Sequence, residues 1–309
     1  MTQSARMTPA SWVLLILLSG LWGGSFFFTK IAVAEIPALT LTLARVAIAA
    51  LALHLVLRLR RIAFPWTRAA LAPYVVMGLL NNAVPFTLLA WGQTHIASGL
   101  AAVLNAMTPI STVIIAHLLT DTDRATPQKL AGVLIGLGGV AVMIGPEALD
   151  GITENVTAQL ACLAATVSYA CAGIFGRRFR GQPALVTATG QLTGSSILML
   201  PLVLIAGGAT TLVPPSAHVA GSVLALALVS TAFAYILYFR ILAQAGPTNV
   251  AMVTFLVPVS AIVLGAAFLG EVLEPRHWLG VALIAVALAA IDGRLLERLL
   301  ERLRRTRLA

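Results

Sequence analysis

A chain of 309 residues that is 59% hydrophobic and only 10% charged, with a mean hydropathy of +0.96, cannot clothe a water-soluble surface in polar side chains. Its 20 basic residues outnumber 11 acidic ones, but Arg58, Arg60, Arg61, Arg177, Arg178 and Arg180 flank apolar runs. The excess is therefore a membrane-topology signal and argues against nucleic acid as a partner.

Apolar runs bounded by proline, glycine and charge fall at 11–34, 38–57, 70–91, 96–119, 128–145, 157–176, 183–206, 217–240, 247–270 and 277–293. Each is close to the roughly 20 residues that a helix needs to cross hydrocarbon, so the sequence predicts an all-α polytopic membrane protein of ten transmembrane helices. The first run comes after Arg6 and ends at Ala32-Val33-Ala34, which imitates a cleavable leader. It is longer than a leader core and more membrane sequence succeeds it, so it reads as a span. In the stretch from Ala69 to Thr120, Asn81, Asn82, Gln93 and His95 interrupt the hydropathy, and Trp91-Gly92-Gln93 is expected to break it into two spans. Cys162 and Cys171 lie on different faces of one run, where neither a disulfide nor a metal site is indicated. After Asp292, leucines alternate with arginines in a short basic amphipathic segment, 294–309, suited to an anionic lipid surface. Arginines at Arg58–Arg68, Arg177–Arg180 and in this tail put both termini in the cytoplasm by the positive-inside rule.

Residues 86–132 align with 235–280, and Pro37-Ala38-Leu39 with Pro183-Ala184-Leu185. Pro109 then meets Pro258, Asn105 meets Thr254, Arg45 meets Gln191, and Trp22 meets Tyr169. The chain thus divides into a first five-helix repeat, 1–146, and a second, 147–293. An odd number of spans inverts the second repeat, and the charges agree: the loop Arg58–Arg68 is basic where its counterpart 207–216 is uncharged. Inverted repeats place a binding site near the membrane midplane at the repeat interface.

The segment Leu21-Trp22-Gly23-Gly24-Ser25-Phe26, Arg45, the Pro109 and Pro258 helices, and Gly270-Glu271 with Gly280 resemble the drug/metabolite transporter superfamily, EamA type. Within it the chain is most similar to the YddG-type amino-acid exporters. The resemblance implies a multi-pass protein of a bacterial-type inner membrane that exports small metabolites, with aromatic and other apolar amino acids as cargo. The first half departs from the pattern, with Thr120-Asp121-Thr122-Asp123 where the second has Gly270-Glu271.

A cavity for an amphiphile needs an aromatic wall and a few hydrogen-bonding groups. The candidates at repeat-equivalent places are Trp22, Asn81, Asn82, Trp91, Tyr169, Gln191, Tyr235 and Tyr238, with Pro109 and Pro258 as hinges. Aromatic residues near span ends, among them Trp91, Tyr238 and Tyr74, also suit an interfacial belt. Arg45 is the one charge well inside a predicted span; it either attracts an anionic group of the cargo or, as its neutral counterpart Gln191 favours, ties helices together. Lys30 and Arg240 lie near span ends and are expected to snorkel. His54, His95 and His117 read as structural hydrogen-bonding residues. All eleven acids map to loops or span ends, which removes the usual carboxylate relay for ion coupling and favours facilitated export; proton-coupled export is the alternative. An intramembrane enzyme would need a nucleophile–base pair, a metal motif or a phosphate loop, and the sequence has none of these. A non-transporting scaffold fits inverted symmetry poorly. No catalytic residue, cofactor or metal is expected, and the partners are a small-molecule cargo and membrane lipid around a monomer.

Overall fold

The computed structural model describes residues 7–96, 98–120, 126–144, 155–207, 214–260 and 274–292. Among them every regular element is a helix. The basic tail, both chain termini, Gly270-Glu271 and the acids between 121 and 154 lie outside the described residues.

The first helix, α1 (Pro9–Ala32), starts where the Thr8 hydroxyl accepts from the Ser11 N–H and proline occupies the first turn. The second, α2 (Ala38–Leu59), begins after Pro37. The next unit runs α3 (Arg68–Gly78), a π-helical turn (Leu79–Ala83) and α4 (Val84–His95), one unbroken apolar stretch of 28 residues. Here the sequence expectation is corrected: Trp91-Gly92-Gln93 stays helical, and the chain turns extended only at Ile96. The expected single span 96–119 is also two pieces, α5 (Ser98–Asn105) and α6 (Thr108–Leu119), separated at Ala106-Met107. Next comes α7 (Pro127–Ile144).

The second half repeats this order. It contains α8 (Val156–Phe175), a 3₁₀ turn (Gly176–Phe179), α9 (Ala184–Ile205) after Pro183, and α10 (Ala217–Ala227). A second π turn (Leu228–Phe233) leads into α11 (Ala234–Ala251), which kinks at Gly246. That residue has φ 80°, a conformation that glycine adopts without a Cβ penalty. Helix α12 covers 253–260 of the described chain, and α13 spans Pro275–Asp292. Six of these stretches are long and apolar enough to cross a membrane, with shorter apolar helices at Thr108–Leu119, Pro127–Val142 and Pro275–Ile291. Outward-facing Ile16, Leu17, Leu51, Leu55, Leu118 and Leu204 present the apolar coat that hydrocarbon requires.

Small residues set the closest approaches. A Cβ on Gly190 would fall 2.5 Å from the Tyr74 ring, and one on Gly194 as close to the Tyr74 carbonyl, so α3 lies directly on α9. Tyr74 is 2% exposed, donates its hydroxyl to Gln182 Oε1 at 2.6 Å and stacks on Phe179. It is a packing residue, not part of an interfacial belt. Gly132, Gly136 and Gly139 of α7 likewise face α13 within the same chain, whereas Gly138 faces open space.

The two halves grip each other reciprocally. Ser111 of α6 donates to the Thr166 hydroxyl of α8 at 2.8 Å, and Ser260 of α12 donates to the Ser19 hydroxyl of α1 at 2.7 Å. The directions are fixed because Thr166 and Ser19 already spend their protons on the carbonyls of Leu163 and Ile16. Ser168 of α8 donates to the Leu80 carbonyl in the first π turn, and Ser230 of the second π turn donates to the Leu21 carbonyl of α1. Across the centre, α2 packs on α9 and α7 on α13. Outside the membrane core, the Glu35 carboxylate takes the Ser216 N–H and hydroxyl at 2.8 and 2.7 Å, which tethers the end of α1 to the start of α10. Those two donors hold its pKa below the usual value, so the tether persists at neutral pH and weakens only as acid protonates the group.

Candidate functional site

The π turns explain how polar side chains reach the middle of apolar helices. A π turn adds a residue to the helical circuit and rotates the rest of the helix about its axis, and such turns recur at functional sites. In the first half this turn places Asn81 and Asn82 against α9: Asn81 Nδ2 donates to Gln191 Oε1 at 2.9 Å, and Asn82 Nδ2 donates to Ser195 Oγ at 2.7 Å. At the matching place in the second half, Thr231 accepts from Arg45 Nε at 2.6 Å and passes its own proton to the Leu226 carbonyl. Thus α2 and α9, whose Arg45 and Gln191 align in sequence, are each held by the π turn of the opposite half.

Between the halves lies a cavity with about 80 Å³ open to the centres of water-sized molecules, room for a small solute instead of a single water. Five expected residues line it: Trp22, Arg45, Asn81, Tyr169 and Tyr238. Trp22 sits with its ring centroid 5.9 Å from Tyr238 and 6.1 Å from Tyr235. Tyr238 is 6% exposed, so the belt reading does not apply to it. Tyr235 forms the layer behind, its hydroxyl donating to the Asn81 carbonyl at 2.9 Å.

Other candidates sit elsewhere. Gln191 and Asn82 belong to the buried contact between α9 and the first π turn, behind the cavity wall. Trp91 is half-buried at the edge of a separate apolar cluster that includes Leu100 and Cys162, its ring 4.6 Å from that of His95. Pro109 occupies the first turn of α6, where its missing N–H breaks no helical bond; the chain interruption precedes it at Ala106-Met107. Pro258 lies inside α12, six residues after the interruption at Met252.

The sequence reading missed Thr42, Gln93, Asn105, Thr108 and Thr254, all buried and all on the wall. The Thr108 and Thr254 hydroxyls donate to the carbonyls of Asn105 and Ala251 at the two helix breaks, so their lone pairs remain to accept. A signal for Gln93 and Asn105 exists, since both are amides within apolar sequence, but the expected break at Trp91-Gly92-Gln93 puts Gln93 in a loop.

Electrostatically the cavity has one sign. Arg45 is 8% exposed and its Cζ stands 3.7 Å over the Phe86 ring. A guanidinium offers five N–H donors. The described residues supply one hydrogen-bond acceptor, Thr231, and no carboxylate pairs with it. A buried cation left this way costs on the order of several kcal/mol. The remaining donors are available to whatever occupies the cavity.

Lys30 and His54 take structural positions at the margins. Lys30 Nζ donates to the carbonyls of Gln93 and Ile96 at 2.7 and 3.3 Å, capping α4 from α1. His54 Nε2 donates to Thr193 Oγ1 at 2.9 Å and its ring stacks on Trp66. Cys162 and Cys171 are both free, and among the described residues no metal-ligating cluster forms.

A helical membrane protein with two interlocked halves around a polar-lined central cavity belongs to the class of small-solute transporters. The EamA-like transporter family model matches the chain twice, over residues 10–145 and 156–291, and the chain belongs to that family. It is 26% identical to the uncharacterized transporter YoaV of Bacillus subtilis, covering 87% of this chain and 92% of that one. It is 25% identical to the uncharacterized inner membrane transporter YedA of Escherichia coli, covering 90% and 89%. A probable terminal-alkyne amino-acid exporter of Streptantibioticus cattleyicolor is 26% identical, covering 95% and 96%. A crystal structure that shares 18% identity superposes with a TM-score of 0.68 over 91% of this chain and 97% of the other, which establishes a common fold.

Proposed function

We propose that this EamA-family transporter exports amino acids, aromatic and other apolar ones foremost, across a bacterial-type inner membrane. In this reading ten spans form two inverted halves, 1–146 and 147–293, with both termini and the 294–309 tail on the cytoplasmic side. The halves rock about the cavity, with Pro109 and Pro258 beside the flexing points. The observation that carries the cargo assignment is the buried Arg45, which has no carboxylate partner among the described residues. Facing an apolar aromatic wall, it recognises a carboxylate and repels organic cations, because like charges in a low-dielectric cavity repel strongly. The amino-acid exporter among the relatives is consistent with this. The lack of an acid well inside any span favours movement down the cargo gradient without ion coupling.

The test is flux into proteoliposomes for radiolabelled leucine and phenylalanine beside an organic cation such as tetraphenylphosphonium. Saturable amino-acid flux that survives a protonophore, with no cation flux above protein-free vesicles, is expected. Absence of amino-acid flux, or flux confined to the cation, overturns the assignment.

A further inference from the structure

The cavity has a second polar feature that the arginine does not engage. Gln93 is 1% exposed and Asn105 is 7% exposed; both line the cavity, and the side-chain oxygens Gln93 Oε1 and Asn105 Oδ1 have no hydrogen-bond partner. The orientation of the Gln93 amide is set by its nitrogen, which donates to the Leu89 carbonyl at 3.4 Å and leaves the oxygen as the free end. A buried carbonyl oxygen without a donor is destabilising, so two such atoms on residues of one cavity wall are a standing demand for N–H or O–H groups. Neither residue belongs to the contacts that join the halves through the π turns.

The placement of Gln93 separates it from Arg45. Arg45 packs over Phe86, and Gln93 lies seven residues further along the same helix, two turns or about 10 Å of rise. Asn105 ends α5, just before the break at Ala106-Met107. Lys30 does not satisfy the amide oxygen: it binds the main-chain carbonyl of Gln93, at the end of α4. The wall therefore carries donors at Arg45 and, apart from it, acceptors at Gln93 and Asn105, with Trp22 and Phe26 among the apolar residues lining the same cavity.

We propose that Gln93 and Asn105 are the ammonium-recognising residues of this transporter, so that cargo must carry a protonated amine as well as a carboxylate. This rests on the amino-acid reading given above. It adds a discrimination that the arginine alone does not provide: a carboxylate lacking the amine leaves both amide oxygens desolvated and unpaired, which selects against it. A neutral amide pair also admits a zwitterion without a buried acid, in keeping with a cavity whose described wall holds no carboxylate.

The experiment measures inhibition of leucine flux in proteoliposomes by two leucine-shaped probes, 4-methylpentanoate without the amine and 3-methylbutylamine without the carboxylate. Leucine itself is expected to compete at least tenfold better than either. In Gln93→Met and Asn105→Leu, which remove the two unpartnered oxygens and, at Gln93, the long amide contact to the Leu89 carbonyl, the preference for leucine over 4-methylpentanoate is expected to collapse toward unity while 3-methylbutylamine stays excluded. Gln93→Glu, which keeps an acceptor and adds charge, is expected to retain or raise the preference for the amine. If leucine is transported but 4-methylpentanoate competes equally well in the unmodified protein, or if both substitutions leave the ratio unchanged, the amide assignment is wrong and the transporter reading stands. If no amino acid is transported, the reading beneath it falls as well.

Discussion

Arg45 is where the structural and functional interpretations of one side chain can be separated. Its Nε–Thr231 bond at 2.6 Å ties α2 to the second π turn, while its other donors have no acceptor among the described residues. If the tie were its whole role, Thr231→Val and Arg45→Met would have the same effect on flux. Arg45→Met is instead expected to raise the transport KM for a carboxylate cargo by about tenfold or more, the loss of one charged hydrogen bond of roughly 1.5–3 kcal/mol, without lowering the melting temperature in detergent. Thr231→Val keeps the charge and is expected to change KM far less. Arg45→Lys restores only part of the affinity, because an ammonium lacks the planar fork that fits a carboxylate. Equal KM in all three variants would return Arg45 to a purely structural role. Residues of this kind are legible in the sequence because a charge inside an apolar run has few explanations, and Trp22 with Tyr169 are legible because the repeat pairs them. Gln93 and Asn105 are not, since their positions depend on where the helices break. That point is decided by Ile96 turning extended and by the Ala106-Met107 gap, not by hydropathy.

At the scale of elements, the boundaries most visible in the sequence are those written in proline and charge: Pro37 before α2, Pro183 before α9, and the arginines after α2. The π turns are not visible, because the polar pairs Asn81-Asn82 and Ser230-Thr231 within Leu79–Ala83 and Leu228–Phe233 mark no change of hydrogen-bond register. Each is held by tertiary partners, the first beside the contact of α3 with α9 and the second against α2 and α1. A Cβ at Gly194 would meet the Tyr74 main chain at 2.5 Å, and backbone cannot step aside as a flexible side-chain tip can. Gly194→Val is therefore expected to cost about 1–3 kcal/mol by overpacking, read as a lower melting temperature in detergent and weakened transport. Gly138→Ala, on the same kind of surface but facing open space, serves as the control and is expected to leave both unchanged. Loss of stability in both would mean that glycine content, not this contact, matters.

For the whole molecule, the reciprocal serine contacts bear on how the halves move. Ser260 reaches α1 through Ser19, and Ser111 reaches α8 through Thr166, so each half lends one helix to the other at equivalent positions. If the second half is inverted, these two contacts lie on opposite sides of the midplane, one guarding each exit from the cavity. Rocking then requires them to loosen in turn, and hydroxyl–hydroxyl bonds worth about 1 kcal/mol net suit contacts that must break in every cycle. A covalent bond at either place should stop the cycle. The side chains of each pair already meet, with oxygens 2.7 and 2.8 Å apart, so the paired substitutions Ser19→Cys with Ser260→Cys, and Ser111→Cys with Thr166→Cys, are the locks to test once Cys162 and Cys171 are replaced by alanine. Oxidation of either pair is expected to abolish amino-acid flux and reduction to restore it, whereas each single cysteine transports in both conditions. Cross-linked protein of either pair that still turns over at the full rate would place the moving boundary elsewhere in the fold, with the Gly246 kink of α11 and the α5–α6 break as the next places to lock.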